Sequence, residues 1–303
     1  MKLPKFPNPF RGLPLRFDRE GRRLWKDFGM SLAAFVCVVI ALVPLGSILI
    51  EAAVRGLQAI GPSFLLLDTA YGGIGNAIQG TLILVAFAAA ISLPVGILTG
   101  IYLSEFGKNR FGDAIRFFVD VMTQIPSIVV GIFVYSLILL LSVSGIVSVR
   151  LVFSAIAGTI ALATIMIPFV ARTAEEALRL VSVSTREAAL ALGIPRHRMI
   201  LRVVLPTGAS GLVTGALLGV ARVGGETAPL LMTAYGSGFG FSGLDQPVES
   251  LPHTIYTFAL SPYTGQNQAA WGASLVLVLM MLMISVFSRL LLRSRYPLGG
   301  AGR

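Results

Sequence analysis

Arg222 and Glu226 stand four residues apart in an otherwise apolar run, Arg222-Val-Gly-Gly-Glu226-Thr-Ala-Pro229. On an unbroken helix this spacing places both on one face. Arginine presents a planar fork of N–H donors suited to oxyanions, and a neighbouring carboxylate can hold that fork or accept from a protonated anion oxygen. Charge at membrane depth is expensive and usually faces a bundle interior or a water-filled path. Gly224, Gly225 and Pro229 can unwind the helix here and expose backbone N–H groups, as in ligand sites on broken helices. Two readings stand: a translocation path with Arg222, Glu226 and Thr227, or an ion pair that only locks one helix to its neighbour. A second cluster, Arg172 with Glu175 and Glu176, reads first as an interfacial helix end and second as part of the same path. Asp120 reads as an interfacial residue or as a partner for a basic loop.

The elements that must carry these groups are membrane spans. With 55% hydrophobic and 13% charged residues among 303, the chain has too little polar surface for a soluble globule. A span needs roughly 20 apolar residues, and six stretches qualify: 30–50, 77–103, 117–143, 151–171, 207–234 and 269–292. Pro44, Pro94, Pro126, Pro168 and Pro229 lie within them, which membrane helices tolerate when neighbours or water satisfy the freed carbonyls. The expected fold is an all-α membrane protein with a basic arm over 1–29, a six-helix domain over 30–292 and a tail over 293–303. Twenty-one of the 24 Lys and Arg fall on one side, in the arm, the second connection, the loop after the fourth span and the tail. Positive-inside logic therefore puts both termini in the cytoplasm. The net charge of +10 is then accounted for by juxtamembrane positions facing anionic lipid, without nucleic acid. The first apolar run is too long for a signal peptide and no small-x-small site follows it, so it reads as an uncleaved span. Cys37 is the only cysteine, so no intrachain disulfide forms, and His197 and His253 fall on opposite sides of the membrane, which leaves metal chemistry without support. No catalytic constellation and no G-x-x-x-x-G-K-[ST] loop is present.

The loop over 173–206 is the polar exception. Glu187-Ala188-Ala189 is followed by Gly193 and then by Val203, Leu205 and Pro206, the spacing E-A-A, three residues, G, nine residues, I-x-L-P with Val for Ile. Ser184 and Glu187 have capping-box spacing, so a helix is expected from Ser184. Gly193 suits a left-handed helix end. Pro195 suits the first turn of a second helix carrying Arg196, His197, Arg198 and Arg202 as far as Pro206.

At these residues the chain resembles the membrane subunits of binding-protein-dependent ABC importers. The resemblance implies the type I importer permease fold, with Glu187, Ala188, Ala189, Gly193, Leu205 and Pro206 forming a cytoplasmic coupling helix and its flank that dock on an ATPase. It narrows at Gly225-Glu226-Thr227-Ala228-Pro229-Leu230-Leu231 after Arg222, which is similar to the fifth-span signature of PstA-type permeases of phosphate ABC importers. Gly75-Asn76-Ala77-Ile78-Gln79-Gly80-Thr81, Tyr102-Leu103-Ser104-Glu105, Ile125-Pro126-Ser127-Ile128-Val129-Val130-Gly131, Leu251-Pro252-His253-Thr254-Ile255-Tyr256 and Ala270-Trp271-Gly272-Ala273 fit the same type. The likeness runs from Asn76 to Leu292. It implies a heterodimer with a sister permease, two copies of an ATPase that hold ATP and Mg, and an extracytoplasmic phosphate-binding protein, in a bacterial or archaeal inner membrane. This chain itself would hold no cofactor. An importer for sulfate or molybdate, or the sister phosphate permease, is the near alternative, because one arginine does not select among tetrahedral anions. A secondary transporter, a channel or a membrane enzyme explains the spans but not the E-A-A loop. The outer stretch 235–267, rich in glycine and without Lys or Arg, reads either as a lid or as a flexible connector.

Overall fold

The computed structural model describes residues 19–295, and within them regular structure is almost entirely helical. Residues 1–18 of the basic arm and 296–303 of the tail lie outside the described residues. Internal contacts divide the chain at Val54. The first unit is the body of helix α1 (Arg19–Ala59), in which every residue from 29 to 45 is exposed. An apolar helix with no protein around it requires a nonpolar surrounding, which is the condition of a membrane span.

The second unit is built around α3 (Gly75–Glu105) and α6 (Ala155–Arg179), reached after the short α2 (Pro62–Leu66). Both are apolar, so lipid would solvate their separated faces equally well, and close packing must come from small residues. A Cβ at Gly96 would lie 2.7 Å from the Val170 side chain, and one at Gly100 2.5 Å from Ala174 Cβ. Ser92 adds a bond of 3.3 Å from Oγ to the Ala163 carbonyl across the same seam. The other side of α6 receives α9 (Leu205–Gly224) through Gly208, Gly211, Gly215 and Gly219, which face Leu178, Ala177, Thr173 and Val170. Leu84, Leu162, Met166, Val170, Val223 and Leu230 form the core between these helices.

Among the described residues, five helices are long and apolar enough to span, and a sixth span arises if one bent pair counts as a unit. That pair corrects the expectation of one continuous third span over 117–143 that merely tolerates Pro126 within it. It consists of α4 (Arg110–Gln124) and α5 (Ser127–Val143), which meet at 104°. The cause is local: Pro126 disfavours the helical region for Ile125, whose ψ of 129° is extended. The fifth span unwinds after Gly224, as its glycines allowed. It restarts as α10 (Ala228–Thr233), so Pro229 opens a helix rather than kinking one. Pro44, Pro94 and Pro168 lie well inside their helices, beyond the first turn.

The stretch 235–267 is ordered by its neighbours. It contains α11 (Leu251–Ala259), whose Leu251 is fully buried with Phe64, Ile74, Ala77 and Ala273 against α3 and α12 (Thr264–Arg295). Buried Asn76 donates from Nδ2 to the Ser237 carbonyl at 2.8 Å and to Thr69 Oγ1 at 3.0 Å, while its Oδ1 accepts from the Thr69 amide at 2.9 Å. Asp68 accepts from the Gly240 amide at 2.9 Å. The carbonyls of Thr233, Gln246 and Leu244 accept from the amides of Ser154, Ala155 and Ile156 at 3.0 Å each, which satisfies donors that the start of α6 leaves open.

Candidate functional site

The polar loop folds as two helices joined by a glycine turn. The first, α7 (Val183–Ala191), is capped by Ser182, whose Oγ accepts from the Thr185 amide at 3.3 Å. The expected cap, Ser184, already lies in the first turn, two positions past the cap, so its hydroxyl does not take that role. Leu192 ends the helix, and Gly193 takes φ +75°. The Gly193 amide donates to Leu190 and the Ile194 amide to Ala189, at 2.9 and 3.3 Å, the two bonds of a Schellman turn. Ala189 is buried with Val181, Met199, Ile200 and Val204, whereas Glu187, Ala188 and Gly193 are exposed. Beyond Pro195 comes α8 (Arg196–Met199), then a π turn over Ile200–Val204 that runs into α9. The second helix therefore does not stop at Pro206: Arg196–Gly224 is one helical stretch, with Leu205 and Pro206 inside it. Pro206 occupies the first turn of α9, where proline is accepted.

Because nothing lies within 4 Å of a Cβ at Gly193, the turn depends on backbone conformation alone. Replacing it by Val should cost about 1–2 kcal/mol, since a left-handed residue with a branched side chain is strained. We expect Gly193→Val to raise hydrogen exchange at Gly193 and Ile194 roughly tenfold, and Gly193→Asn to raise it less, because Asn tolerates that region. Equal exchange in all three proteins would show that the turn does not need φ above zero.

Ion pairs fix the surroundings of this loop. Glu105, 7% exposed, ends α3 and accepts from Arg186 of α7 at 2.8 Å (Nη2) and 3.2 Å (Nε). Glu175 of α6 is buried and holds Arg116 of α4 at 2.8 Å and Arg179 at 2.6 Å. Arg172 bonds Glu176 and Asp120, both at 2.6 Å. The grouping of Arg172 with Glu175 and Glu176 thus divides: Arg172 bonds Glu176 and Asp120, while buried Glu175 bonds Arg116 and Arg179. Asp120 takes the second of its two readings in part, since its basic partner comes from a helix and not from a loop.

Arg222 is 48% exposed, in the last turn of α9. Its Nε lies 3.9 Å from Glu226 Oε1, too far for a hydrogen bond, and its guanidinium sits 5.7 Å above the Phe169 ring. The pair is loose because the helix ends between its members: the Gly225 amide folds back to the Arg222 carbonyl at 3.2 Å and the Glu226 amide to Val223 at 3.1 Å. Thr227 then precedes α10. Arg222 is ion-paired with Glu226 at 3.9 Å but makes no hydrogen bond to it, so its half-exposed fork keeps donors that can receive an oxyanion.

Residues 92–294 match the family of the binding-protein-dependent transport system inner membrane component. The chain belongs to that family. The matched segment of this inner membrane component covers the glycine turn, Glu105, Arg116 and the Arg222 break. Relatives include phosphate transport system permease protein PstA of Yersinia pestis, 43% identical over 74% of each chain, and that of Haemophilus influenzae, 38% identical over 85% of this chain and 90% of the other. PstA of Mycobacterium leprae is 34% identical over 95% of both. In solved structures, a chain of a bacterial alginate ABC transporter superposes with TM-score 0.66 at 18% identity, covering 92% of this chain and all of that one. A chain of the inward-facing MetNI methionine ABC transporter gives TM-score 0.55 at 19% identity over 78% and 99%. The fold is that of ABC importer permeases, as the resemblance at the loop implied.

The residues around the site that sequence reading missed are Glu105 and Arg116. Glu105 stood within a stretch already singled out, Tyr102-Leu103-Ser104-Glu105, and Arg116 among the basic residues of a connection. A signal was available for the first, because a carboxylate is unfavourable at the C-terminal end of a long helix unless a cation meets it.

Proposed function

We propose that this chain is the membrane-spanning permease subunit of an ATP-driven importer of inorganic phosphate. What carries the reading is the relationship to PstA permeases at 34 to 43% identity, over 74 to 95% of the chain. The chemistry of Arg222 agrees with it: a half-exposed guanidinium, ion-paired with Glu226 at 3.9 Å but not hydrogen-bonded to it, sits where a spanning helix breaks. In this reading Arg222 binds the anion, and Glu226 and Thr227 border the path. Arg172 and Glu175 mark its cytoplasmic end. Glu187, Ala188, Ala189 and Gly193, backed by Leu205 and Pro206, dock on a partner ATPase.

The partners follow from the same reading. A sister permease completes the pathway as a heterodimer, two copies of an ATPase bind ATP and Mg, and an extracytoplasmic binding protein delivers phosphate. Both termini and the loop face the cytoplasm of a bacterial cell, in keeping with the distribution of Lys and Arg. ATP closure draws the coupling helices together and opens the pathway outward; hydrolysis returns it to the inward-facing state.

The test is uptake of radiolabelled phosphate by vesicles containing the chain with its sister permease, ATPase and binding protein, with sulfate and molybdate as competitors. Uptake that requires ATP and every partner, and that resists both competitors, is expected. Uptake by this chain alone would make it a carrier or channel. Equal competition by sulfate or molybdate would overturn phosphate as the cargo.

A further inference from the structure

The last turn of α3 collects arginines from three other helices. The Leu103 carbonyl accepts from Arg116 Nη2 at 2.8 Å and the Gly107 carbonyl from Arg116 Nη1 at 2.9 Å. The Glu105 carbonyl accepts from Arg196 Nη2, and the Glu105 carboxylate takes both bonds from Arg186. Arg186 also donates to the carbonyls of Leu178 and Val181, and the Arg196 guanidinium stacks 4.6 Å from the Phe106 ring centre. A helix end leaves carbonyls unpaired and carries partial negative charge, so it is a natural seat for cations. Here the cations come from α4, α7 and α8, which otherwise belong to different parts of the chain.

We propose that this turn is the relay between the coupling loop and the anion site, with Glu105 and Arg116 as its positioning residues. The inference rests on the function proposed above and adds the route by which motion travels. Arg186 and Arg196 tie both helices of the loop to the turn. Arg116 ties α4 to the same turn and, through buried Glu175, to α6. At the non-helical link Ile125–Pro126, α4 turns through 104° into α5. Gly131 of α5 lies so near Pro229 that a Cβ there would be 2.6 Å from its Cα. Pro229 belongs to the first turn of α10, three residues after Glu226. The contacts in this series are arginine bonds to carboxylates and helix-end carbonyls, the covalent link at Ile125–Pro126 and a close backbone approach. Displacement of α7 and α8 is therefore passed to the Arg222 break instead of being absorbed by soft side chains.

The experiment compares phosphate uptake per ATP hydrolysed in the complete complex, in vesicles, for the natural chain, Glu105→Gln and Arg116→Lys. Glu105→Gln keeps the shape but loses the charge that holds Arg186; Arg116→Lys keeps the charge but loses the fork that joins three helices. Both variants are expected to lower the ratio at least tenfold while assembled complex and ATP hydrolysis persist. A ratio equal to that of the natural chain, including the case in which both rates fall together with the amount of complex, overturns the relay and leaves these residues structural. Absence of ATP-dependent uptake in the natural complex would instead overturn the proposed function, and the relay with it.

Discussion

Substituting Arg222 by Gln is expected to lower the initial rate of phosphate uptake roughly tenfold to a hundredfold in the assembled complex, with less change in its amount. Glutamine keeps an N–H donor and much of the reach but removes the charge and the fork. A hydrogen bond to a charged group contributes about 1.5–3 kcal/mol, and each 1.36 kcal/mol is about tenfold in rate. Partial exposure of the guanidinium screens the interaction, which favours the lower part of that range. The fold should tolerate the change, because the 3.9 Å separation from Glu226 is no hydrogen bond whose loss would strand a buried charge. Arg222→Lys should fall between, retaining charge without bidentate geometry. Measuring uptake and ATP hydrolysis together decides the matter: a natural uptake rate in Arg222→Gln would assign Arg222 to packing against Phe169, not to the path.

The largest stability effect is expected at Gly80. A Cβ on this residue would lie 2.0 Å from the Glu249 carbonyl oxygen and 2.7 Å from Val248 Cγ2. The first of these is backbone and cannot rotate away. Its segment is held by Leu251, whose amide donates to Thr81 Oγ1 at 2.8 Å, one residue along α3. Gly80→Ala must therefore push the segment before α11 off α3. Overpacking typically costs 1–3 kcal/mol and occasionally more, so the unfolding midpoint in detergent should fall by roughly 2–5 °C. Gly46→Ala is the natural comparison, because nothing lies within 4 Å of a Cβ there. In a helix that change is favourable by about 0.5–1 kcal/mol, so the two alanines should act with opposite sign. Equal midpoints for both would mean that the outer segment moves away from α3 at little cost.

What was legible in the sequence has a local cause. Apolar runs located the spans, since crossing a membrane requires length and hydropathy and little else. The glycine turn was legible because a left-handed helix end selects Gly193 whatever surrounds it. The bend at Ile125–Pro126 was within reach of the same kind of reasoning, as the residue before a proline avoids the helical region. Treating Pro126 as one more tolerated kink concealed it. The cap at Ser182 was misplaced by two residues because several serines compete there, and only the position of the first helical residue decides among them.

The sequence by itself determined an all-helical membrane chain, its resemblance to ABC importer permeases, the place of the polar E-A-A loop and the presence of Arg222 beside a breakable stretch of helix. The tertiary structure alone decided which charges meet: Glu175 with Arg116 and Arg179, Arg172 with Asp120, and Glu105 with Arg186. It also decided that 235–267 is a folded cap anchored by Asn76 and Asp68, where composition had left lid and connector equally open. The physical reason is range. Hydropathy, capping and glycine turns act within a few residues, whereas an ion pair between residues 81 positions apart exists only after helix packing has made their elements neighbours.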